Sequence, residues 1–255
     1  MRVAVVGAGI AGLVAAYRLY RDHEVTVFEA SDYAGGHTHT VDIERHGRQY
    51  AIDTGFIVFN DWTYPNFIAL LSELGVESQR SNMSFSLRCE RSGLEYNGTS
   101  LNSLFAQRRN LLRPRFLRML AQILRFNRCA RALLIRSEAS LTLAQYLERE
   151  RYSSEFIEHY IVPMGKSIWS ATAAAVLSFP ARFFIEFFDR HGFLSVDERP
   201  VWRAIQGGSR EYVKKLTAPL RLRLRTPVAG IERDALGVHV RSGRGDVGHF
   251  DYVFL

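Results

Sequence analysis

The sequence has little cysteine and no long hydrophobic run. Its 255 residues include two cysteines, Cys89 and Cys129, too few for a disulfide framework, and no CxxC pair for a zinc site or a redox dithiol. No apolar run reaches the length that a bilayer requires. Glycines and arginines interrupt the first apolar residues, which argues against a secretory signal. We therefore expect a protein of the reducing cytoplasm.

Side chains in recognisable catalytic arrangements are also scarce. The sequence contains no HExxH motif, no Ser-His-Asp order and no paired carboxylates at a useful spacing, so the catalytic residues stay unknown. His37 and His39 lie two positions apart, with His46 nearby. Such a loop is better used beside a phosphate than around a metal ion, and we expect no metal site.

The most informative segment is a strand, turn, helix and strand pattern at the start of the chain. The apolar run 3–6 leads into a glycine-rich turn, a helical pattern follows, and the apolar run 25–28 ends at an acid. The turn and the acid are Gly7, Ala8, Gly9, Ile10, Ala11, Gly12 and Glu29. Gly7 allows the sharp turn, Gly9 lets a pyrophosphate approach the backbone, and Gly12 lets the helix pack close to the sheet. The pattern predicts a dinucleotide-binding βαβ unit.

Two features of this unit favour a nucleotide, and the second disfavours one with a 2′-phosphate on its ribose. The helix N-terminus offers N–H groups and a partial positive charge to phosphates. Glu29 follows about 20 residues after the turn, where a carboxylate accepts hydrogen bonds from ribose hydroxyls and repels a 2′-phosphate. The alternatives are a glycine-rich turn in some other α/β fold and an NAD-dependent dehydrogenase.

A second signature consists of short segments spread over most of the chain. They contain Ala30, Gly35, Gly36, His37, Asp53, Thr54, Gly55, Phe56, Gly207, Gly208 and Val228. In this order and context they resemble the flavin-containing amine oxidase and phytoene desaturase superfamily. The resemblance implies that the double glycine and His37 lie beside the FAD phosphates, that residues 53–56 pass close to the flavin ring, and that the backbone of Val228 contacts the adenine. Many members of the superfamily carry arginine in place of His37.

The resemblance also implies a fold and an activity. We expect an α/β protein with a doubly wound, Rossmann-like FAD-binding domain at 1–80 and 203–255, and an inserted, mainly helical substrate or cap domain at 81–202. The implied activity is that of an amine oxidase-like or lipid desaturase-like enzyme, which moves a hydride from a C–N or C–C bond to flavin N5. A simple NAD-dependent dehydrogenase has no particular use for the second signature, so FAD is favoured over NAD.

The last residues, 250–255, form an apolar run that we interpret as a buried strand. We expect residues 252–255 to pair with 238–241 around a glycine-rich turn at 243–248. In the superfamily, more of the substrate domain and a late flavin-contacting segment follow this strand. We therefore expect a truncated chain. The alternatives to an active oxidoreductase are a non-catalytic FAD-binding fragment and half of a split enzyme whose partner chain supplies the C-terminal part.

Much of the net charge of +7 is concentrated in one segment. Nine arginines and no acids lie between Arg108 and Arg136, among apolar residues at helical spacing. One interpretation is the solvated face of a cap helix. The other is peripheral contact with an anionic membrane. We expect the substrate to be a small molecule or a lipid-like molecule, and membrane contact would suit the second. We do not expect nucleic acid as a partner, because no reading motif accompanies the charge.

A flavin enzyme needs an apolar wall that positions the substrate and excludes water more than it needs an acid–base pair. The candidates are Phe56, Phe59, Trp62, Tyr160, Trp169 and the phenylalanine-rich run 179–188. At helical spacing, the phenylalanines of that run are more typical of an ordinary core.

Overall fold

The structure is a computed structural model that describes residues 1–135, 140–195, 199–243 and 245–255. The chain divides into two compact units. Unit 1 contains Met1–Ser81 and Trp202–Leu255, and unit 2 contains Asn82–Val201. Within the described ranges, no helix combines the length and the apolar character that a bilayer span requires.

Strands dominate unit 1 and helices dominate unit 2. The strands are β1 (Arg2–Val6), β2 (Glu24–Phe28), β3 (His39–Arg45), β4 (Arg48–Gly55), β5 (Phe59–Asn60), β6 (Ser78–Arg80), β7 (Ser86–Cys89), β8 (Leu94–Asn97), β9 (Trp202–Ile205), β10 (Arg221–Arg223), β11 (Val228–Arg233), β12 (Val238–Ser242), β13 (Gly245–Phe250) and β14 (Tyr252–Phe254). The helices are α1 (Ile10–Leu19), α2 (Pro65–Leu74), α3 (Leu101–Leu104), α4 (Pro114–Cys129), α5 (Ala132–Ile135), α6 (Leu143–Arg149), α7 (Ser154–Phe156), α8 (Val162–Trp169), α9 (Ala173–Ser178), α10 (Ala181–Arg190) and α11 (Arg210–Thr217). A 3₁₀ helix spans Arg108–Leu112 and a π-helix spans Ile157–Ile161.

The centre of unit 1 is a parallel sheet with the strand order β10-β2-β1-β14. Because successive side chains of a strand point to opposite faces, β1 and β2 bury apolar residues on both sides. On one face, Val5 and Val27 share a core with Leu13 of α1 and Leu216 of α11. The predicted βαβ unit is present as β1, α1 and β2.

The second face of this sheet is covered by an antiparallel sheet with the order β11-β12-β13. Ala4 and Phe28 share a core there with Val238, Val240 and Phe250. The expected doubly wound arrangement has helices on both faces of the parallel sheet. In the part of the chain that the structure describes, helices cover one face and the antiparallel sheet covers the other. In β12, buried valines alternate with less buried polar residues, which favours a half-buried strand over a helix.

The C-terminal strand does not pair as predicted. β14 lies parallel to β1, with Tyr252 opposite Val3, whereas β12 pairs with β13. The carboxylate of Asp251 accepts the N–H of Arg2 at 2.7 Å and the N–H of Asp251 donates to the carbonyl of Arg2 at 2.9 Å, which holds β14 at the edge of the parallel sheet. Tyr252 and Phe254 are exposed there, so the prediction of a buried strand is wrong as well. Arg244, in the predicted turn, lies outside the described residues.

Two smaller sheets complete unit 1. β3 and β4 form a hairpin in which Thr40 lies opposite Asp53, and β9 lies between β5 and β6. The sequence predicts a helix from Tyr64 to Leu74 that is ended by Gly75. Helix α2 is capped by Gly75, which has a left-handed φ of 61°.

Unit 2 is mainly helical, with one hairpin formed by β7 and β8. Its core is rich in aromatic rings such as Phe126, Phe156 and Phe188, which are fully buried. Tyr152 stacks on Phe156 with 4.7 Å between ring centroids. Cys89 and Cys129 are free thiols. The assignment of unit 1 to FAD and of unit 2 to substrate stays a prediction.

Candidate functional site

The turn between β1 and α1 is packed on one side and open on the other. The N–H of Gly7, whose φ is 97°, donates to the carbonyl of Phe28 at 2.7 Å. A Cβ on Gly12 would lie 2.1 Å from the carbonyl oxygen of Gly7, so only glycine lets α1 pack this close to β1. In contrast, apart from Gly9 itself and its two chain neighbours, no atom of the described chain lies within 4 Å of the place where Gly9 would carry a Cβ. The open side of the turn therefore has room for a ligand at the backbone of Gly9.

The first turn of α1 has no acceptor of its own. Gly9 is the N-cap residue, and no side chain of the described residues caps the helix. The first turn contains no acidic residue, and Ile10 and Ala11 are exposed. N–H groups at such a helix start carry a partial positive charge and bind phosphate oxygens well.

The double-glycine loop lies directly against this turn. The N–H of Gly35 donates to the carbonyl of Ala8 at 2.8 Å. A Cβ on Gly36 would lie 2.9 Å from the Cα of Gly9, so the two loops meet backbone to backbone. The His37 side chain, next in the loop, is exposed. The structure thus brings both predicted glycine motifs to one place.

The carboxylate of Glu29 joins the two loops. One of its oxygens accepts the N–H of Ala8 at 2.7 Å and the other accepts the N–H of Ser31 at 2.8 Å. Partial burial raises the pKa of Glu29, but the hydrogen bonds from Ser31 and Ala8 outweigh it, so the pKa lies below its ordinary value of 4.5. The group is an oriented anion at neutral pH, and each oxygen keeps a lone pair for a ribose hydroxyl. Ala30 lies in the bend between these partners.

Residues 223–226 run alongside the end of β2 and lead to Val228. The N–H of Glu29 donates to the carbonyl of Arg223 at 2.9 Å, and the N–H of Thr226 donates to the carbonyl of Glu29 at 2.8 Å. Val228 begins β11 two residues later. The structure therefore places the predicted adenine contact at the same end of the sheet as the predicted ribose contact.

Asp53 holds the segment 53–56 in place, and the sequence analysis did not assign it this role. Its carboxylate accepts the hydroxyl of Thr40 at 2.6 Å and the N–H of Ser209 at 2.8 Å. The hydroxyl of Ser209 donates to the carbonyl of Phe56 at 2.8 Å. The signal in the sequence was that Asp53 opens the motif at 53–56 and that Ser209 follows the double glycine at 207–208.

The residues after Asp53 have unusual backbone requirements. A Cβ on Gly55 would lie 1.9 Å from the carbonyl oxygen of His37, so this strand end packs on the double-glycine loop. Phe56 has a φ of 38°, which is rare for a residue with a side chain and is typical of functional sites. The Thr54 hydroxyl lies 2.7 Å from Nδ1 of His39.

The aromatic candidates fall into different environments. In unit 1, the Phe56 ring packs edge-on against Phe67 at 5.2 Å, Phe59 is buried, and Trp62 is exposed. In unit 2, the ring of Trp169 packs against Phe179, Phe183, Phe184 and Phe187. Phe184 and Phe188 are fully buried, so the interpretation of these two as ordinary core is confirmed. Burial raises the pKa of Tyr160 to about 12, so its hydroxyl is neutral at physiological pH.

The basic segment of unit 2 is partly neutralised by its neighbours. Ion pairs join Arg115 to Glu155, Arg125 to Glu150 and Arg131 to Asp189. Helix α4 buries Phe116, Met119 and Phe126. A cavity of about 760 Å³ lies beside its first turns, lined in part by Arg113 and Arg118. Arg136, the last arginine of the segment, lies outside the described residues.

Known proteins are similar to this chain in sequence and in structure. A model of the flavin-containing amine oxidoreductase family matches residues 10–254. The structure of cyclohexylamine oxidase from Brevibacterium oxydans IH-35A is similar with a TM-score of 0.70 and 21% identity, over 99% of this chain and 57% of that one. A CLA-producing fatty acid isomerase from P. acnes has a TM-score of 0.64 and 18% identity, over 99% of this chain and 57% of that one.

Among curated proteins, 1-hydroxycarotenoid 3,4-desaturase from Flavobacterium sp. (strain P99-3) is 41% identical over 71 residues, which is 28% of this chain and 13% of that protein. The two structural likenesses show a shared fold. The chain spans 57% of the length of each of those two solved structures.

Proposed function

The chain belongs to the flavin-containing amine oxidoreductase family, and we propose that unit 1 binds FAD as part of an oxidoreductase that removes a hydride from a C–N or C–C bond of an organic substrate. Membership of this family makes FAD the cofactor and excludes the NAD-dependent dehydrogenase alternative. One observation carries the proposal. The start of α1 has no side-chain cap from the described residues and has open space beside Gly9. The turn before it contacts the double-glycine loop and donates an N–H to the carboxylate of Glu29.

The residues present suit FAD in chemistry as well as in space. In our proposal, the N–H groups of residues 9–12 and the backbone of Gly35 and Gly36 bind the pyrophosphate. Glu29 accepts the ribose hydroxyls and Val228 contacts the adenine. His37 offers the phosphates less charge compensation than an arginine would, so the helix start carries more of the binding. Thr54, Gly55 and Phe56 lie toward the flavin ring.

The flavin, when bound, supplies the hydride acceptor at N5. The protein's own residues hold the segment 53–56 in place and shield it from water. The Asp53 carboxylate fixes the segment 53–56 through Thr40 and Ser209. The rings of Phe56, Phe67 and Tyr212 pack edge-to-face and keep water from that side of the segment. No proton transfer by a side chain is part of the proposal.

The substrate belongs to one of two chemical classes, which are amines and lipid-like molecules. Cyclohexylamine oxidase favours the first class by its name, and the fatty acid isomerase and the hydroxycarotenoid desaturase favour the second. An amine presents a C–H bond next to a nitrogen, and a lipid-like molecule presents a C–H bond next to another carbon. A hydride can leave from either bond.

The cofactor proposal is tested by the absorbance spectrum of the purified protein before and after desalting. We expect flavin bands that persist, and we expect Gly9→Val to lose them because the new side chain occupies the open space. The backbone φ of Gly9 is −72°, which valine adopts without strain, so this variant should fold. Gly243→Val is the matched control, since a Cβ there also meets no atom of the described chain within 4 Å apart from its own chain neighbours. Equal flavin content in both variants would contradict the proposed site.

The activity proposal is tested by bleaching of the flavin bands without oxygen. Bleaching by primary amines supports an amine oxidase, and bleaching by a long-chain lipid supports a desaturase. Retained flavin without bleaching supports the non-catalytic FAD-binding alternative. Bleaching that needs an added partner chain supports the split-enzyme alternative.

We also propose that the basic segment of unit 2 contacts anionic membranes, which would give access to a lipid-like substrate. Leu112 is 87% exposed at the end of the 3₁₀ helix. Arg108, Arg109 and Arg113 flank it in the sequence. Exposed leucine among arginines is typical of helices that lie on a membrane surface, where the leucine enters the lipid and the arginines bind headgroups.

A further inference from the structure

The antiparallel sheet of unit 1 brings together three side chains that no part of the proposed FAD site uses. They are Asp234, in the turn after β11, His239 on β12 and His249 on β13. Nε2 of His239 lies 3.0 Å from Oδ2 of Asp234, and Nε2 of His249 lies 3.9 Å from Oδ1 of the same residue. One ligand atom from each of the three residues lies within 4.8 Å of the other two.

The strand pairing fixes this arrangement. His239 and His249 are directly opposite on neighbouring antiparallel strands, so their side chains share one face of the sheet, and their ring centroids are 4.6 Å apart. The N–H groups of Leu236 and Gly237 donate to Oδ1 of Asp234 at 2.7 and 2.9 Å. The carboxylate is thereby held in the turn, with Oδ2 directed at His239.

The chain leaves room for the His249 ring beside the turn. A Cβ on Gly237 would lie 2.8 Å from Cε1 and 3.0 Å from Nε2 of His249. The arginine of β12, Arg241, is paired with Glu232 on β11, so its charge is offset beside this place.

We propose that Asp234, His239 and His249 bind one divalent transition-metal ion of the zinc type. Two imidazole nitrogens and one carboxylate oxygen form a set that Zn²⁺ accepts, with water as a fourth ligand. Bonds of about 2.0–2.2 Å in a tetrahedron put ligand atoms roughly 3.3 Å apart. The two nitrogen–oxygen distances here, 3.0 Å to Oδ2 and 3.9 Å to Oδ1 of Asp234, lie on either side of that value, and one ligand atom from each residue lies within 4.8 Å of the other two. The ion would join the β11–β12 turn to β13 and so stabilise the sheet that covers β1 and β2. The sequence analysis weighed only His37, His39 and His46 and expected no metal site; the spacing of Asp234, His239 and His249 matches no metal motif.

The test is a calorimetric titration of the chelator-treated, desalted protein with ZnCl₂, together with thermal unfolding at each Zn²⁺ concentration. We expect one ion per chain and a rise in the unfolding midpoint with Zn²⁺. His239→Gln and His249→Gln should each weaken binding by about tenfold or more, as loss of one of three ligands predicts. Asp234→Asn should weaken it as well while keeping the turn, because an amide oxygen still accepts the N–H groups of Leu236 and Gly237.

His46→Gln and Cys129→Ser are the matched controls, since they remove an exposed histidine and an exposed thiol from other places. Both should titrate as the unaltered protein does. The proposal is overturned if the three site variants bind Zn²⁺ as tightly as the controls. It is also overturned if millimolar Zn²⁺ gives neither heat nor a midpoint shift. The unfolding midpoint of each variant without metal reports whether it folds.

Discussion

The carboxylate of Asp53 accepts the backbone N–H of Ser209 at 2.8 Å, although 156 positions separate the two residues in the chain. Through this contact the end of β4 is tied to the start of α11, and α11 in turn packs on the parallel sheet. The segment that we assign to the flavin ring is therefore held by the same helix that covers β1 and β2.

Removal of this carboxylate should destabilise unit 1. We expect Asp53→Ala to lower the free energy of unfolding by about 2–4 kcal/mol, because the N–H of Ser209 and the hydroxyl of Thr40 lose a charged acceptor in a partly buried place. Urea unfolding measures the change. Asp22→Ala, at an exposed position, should stay within about 0.5 kcal/mol of the unaltered protein. Equal losses in the two variants would show that the Asp53 contacts contribute little.

Glu29 should make stability depend on pH in the acid range. Its pKa is lowered below 4.5 in the folded protein, so the folded state favours the ionised form more than the unfolded state does. This contribution is complete above about pH 4.5 and is lost as the pH falls through the lower, folded pKa. Glu29→Gln removes it. Unfolding midpoints of the two proteins should differ at neutral pH and converge in acid, and a difference that grows in acid would contradict the assignment.

The phenylalanine run of α10 separates core from surface within a few positions. Phe184 is fully buried and its ring lies 4.3 Å from that of Phe188, whereas Phe183 is 47% exposed. We expect Phe184→Ala to cost about 3–5 kcal/mol and Phe183→Ala to cost far less. Thermal unfolding of the two variants gives the comparison, and similar losses would argue against the burial described for Phe184.

The membrane proposal predicts binding that depends on both lipid charge and Leu112. The protein should sediment with vesicles that contain phosphatidylserine and stay in solution with phosphatidylcholine vesicles, and added salt should weaken the binding. Leu112→Glu should reduce sedimentation. Leu236→Glu is the control, because Leu236 is 83% exposed in unit 1. Absence of binding to both vesicle types would end the proposal.

Local features of the fold were predictable and distant ones were not. The βαβ unit and the end of α2 at Gly75 follow from short-range patterns of glycine and apolar residues, and both predictions are confirmed. The partner of β14 depends on the contact between Asp251 and Arg2, 249 positions apart. No local pattern indicates which of several apolar strands will meet.

The same distinction holds for the candidate site. The glycines of both loops were predictable, because a turn without side chains has few other uses beside a helix start. Asp53 belongs to the motif at 53–56, but its role depends on Ser209 and Thr40, which approach it only in the folded chain. The grouping of Asp234, His239 and His249 likewise depends on the pairing of β12 with β13.

The strand order β10-β2-β1-β14 has a consequence for synthesis on the ribosome. The first two strands to emerge, β1 and β2, are the inner strands of their sheet, and both of their outer neighbours belong to the segment after Val201. Residues 82–201 are continuous, so unit 2 emerges whole while the first strands of unit 1 still present unpaired edges. Unit 1 should therefore finish folding last and depend most on chaperones that shield nascent strands.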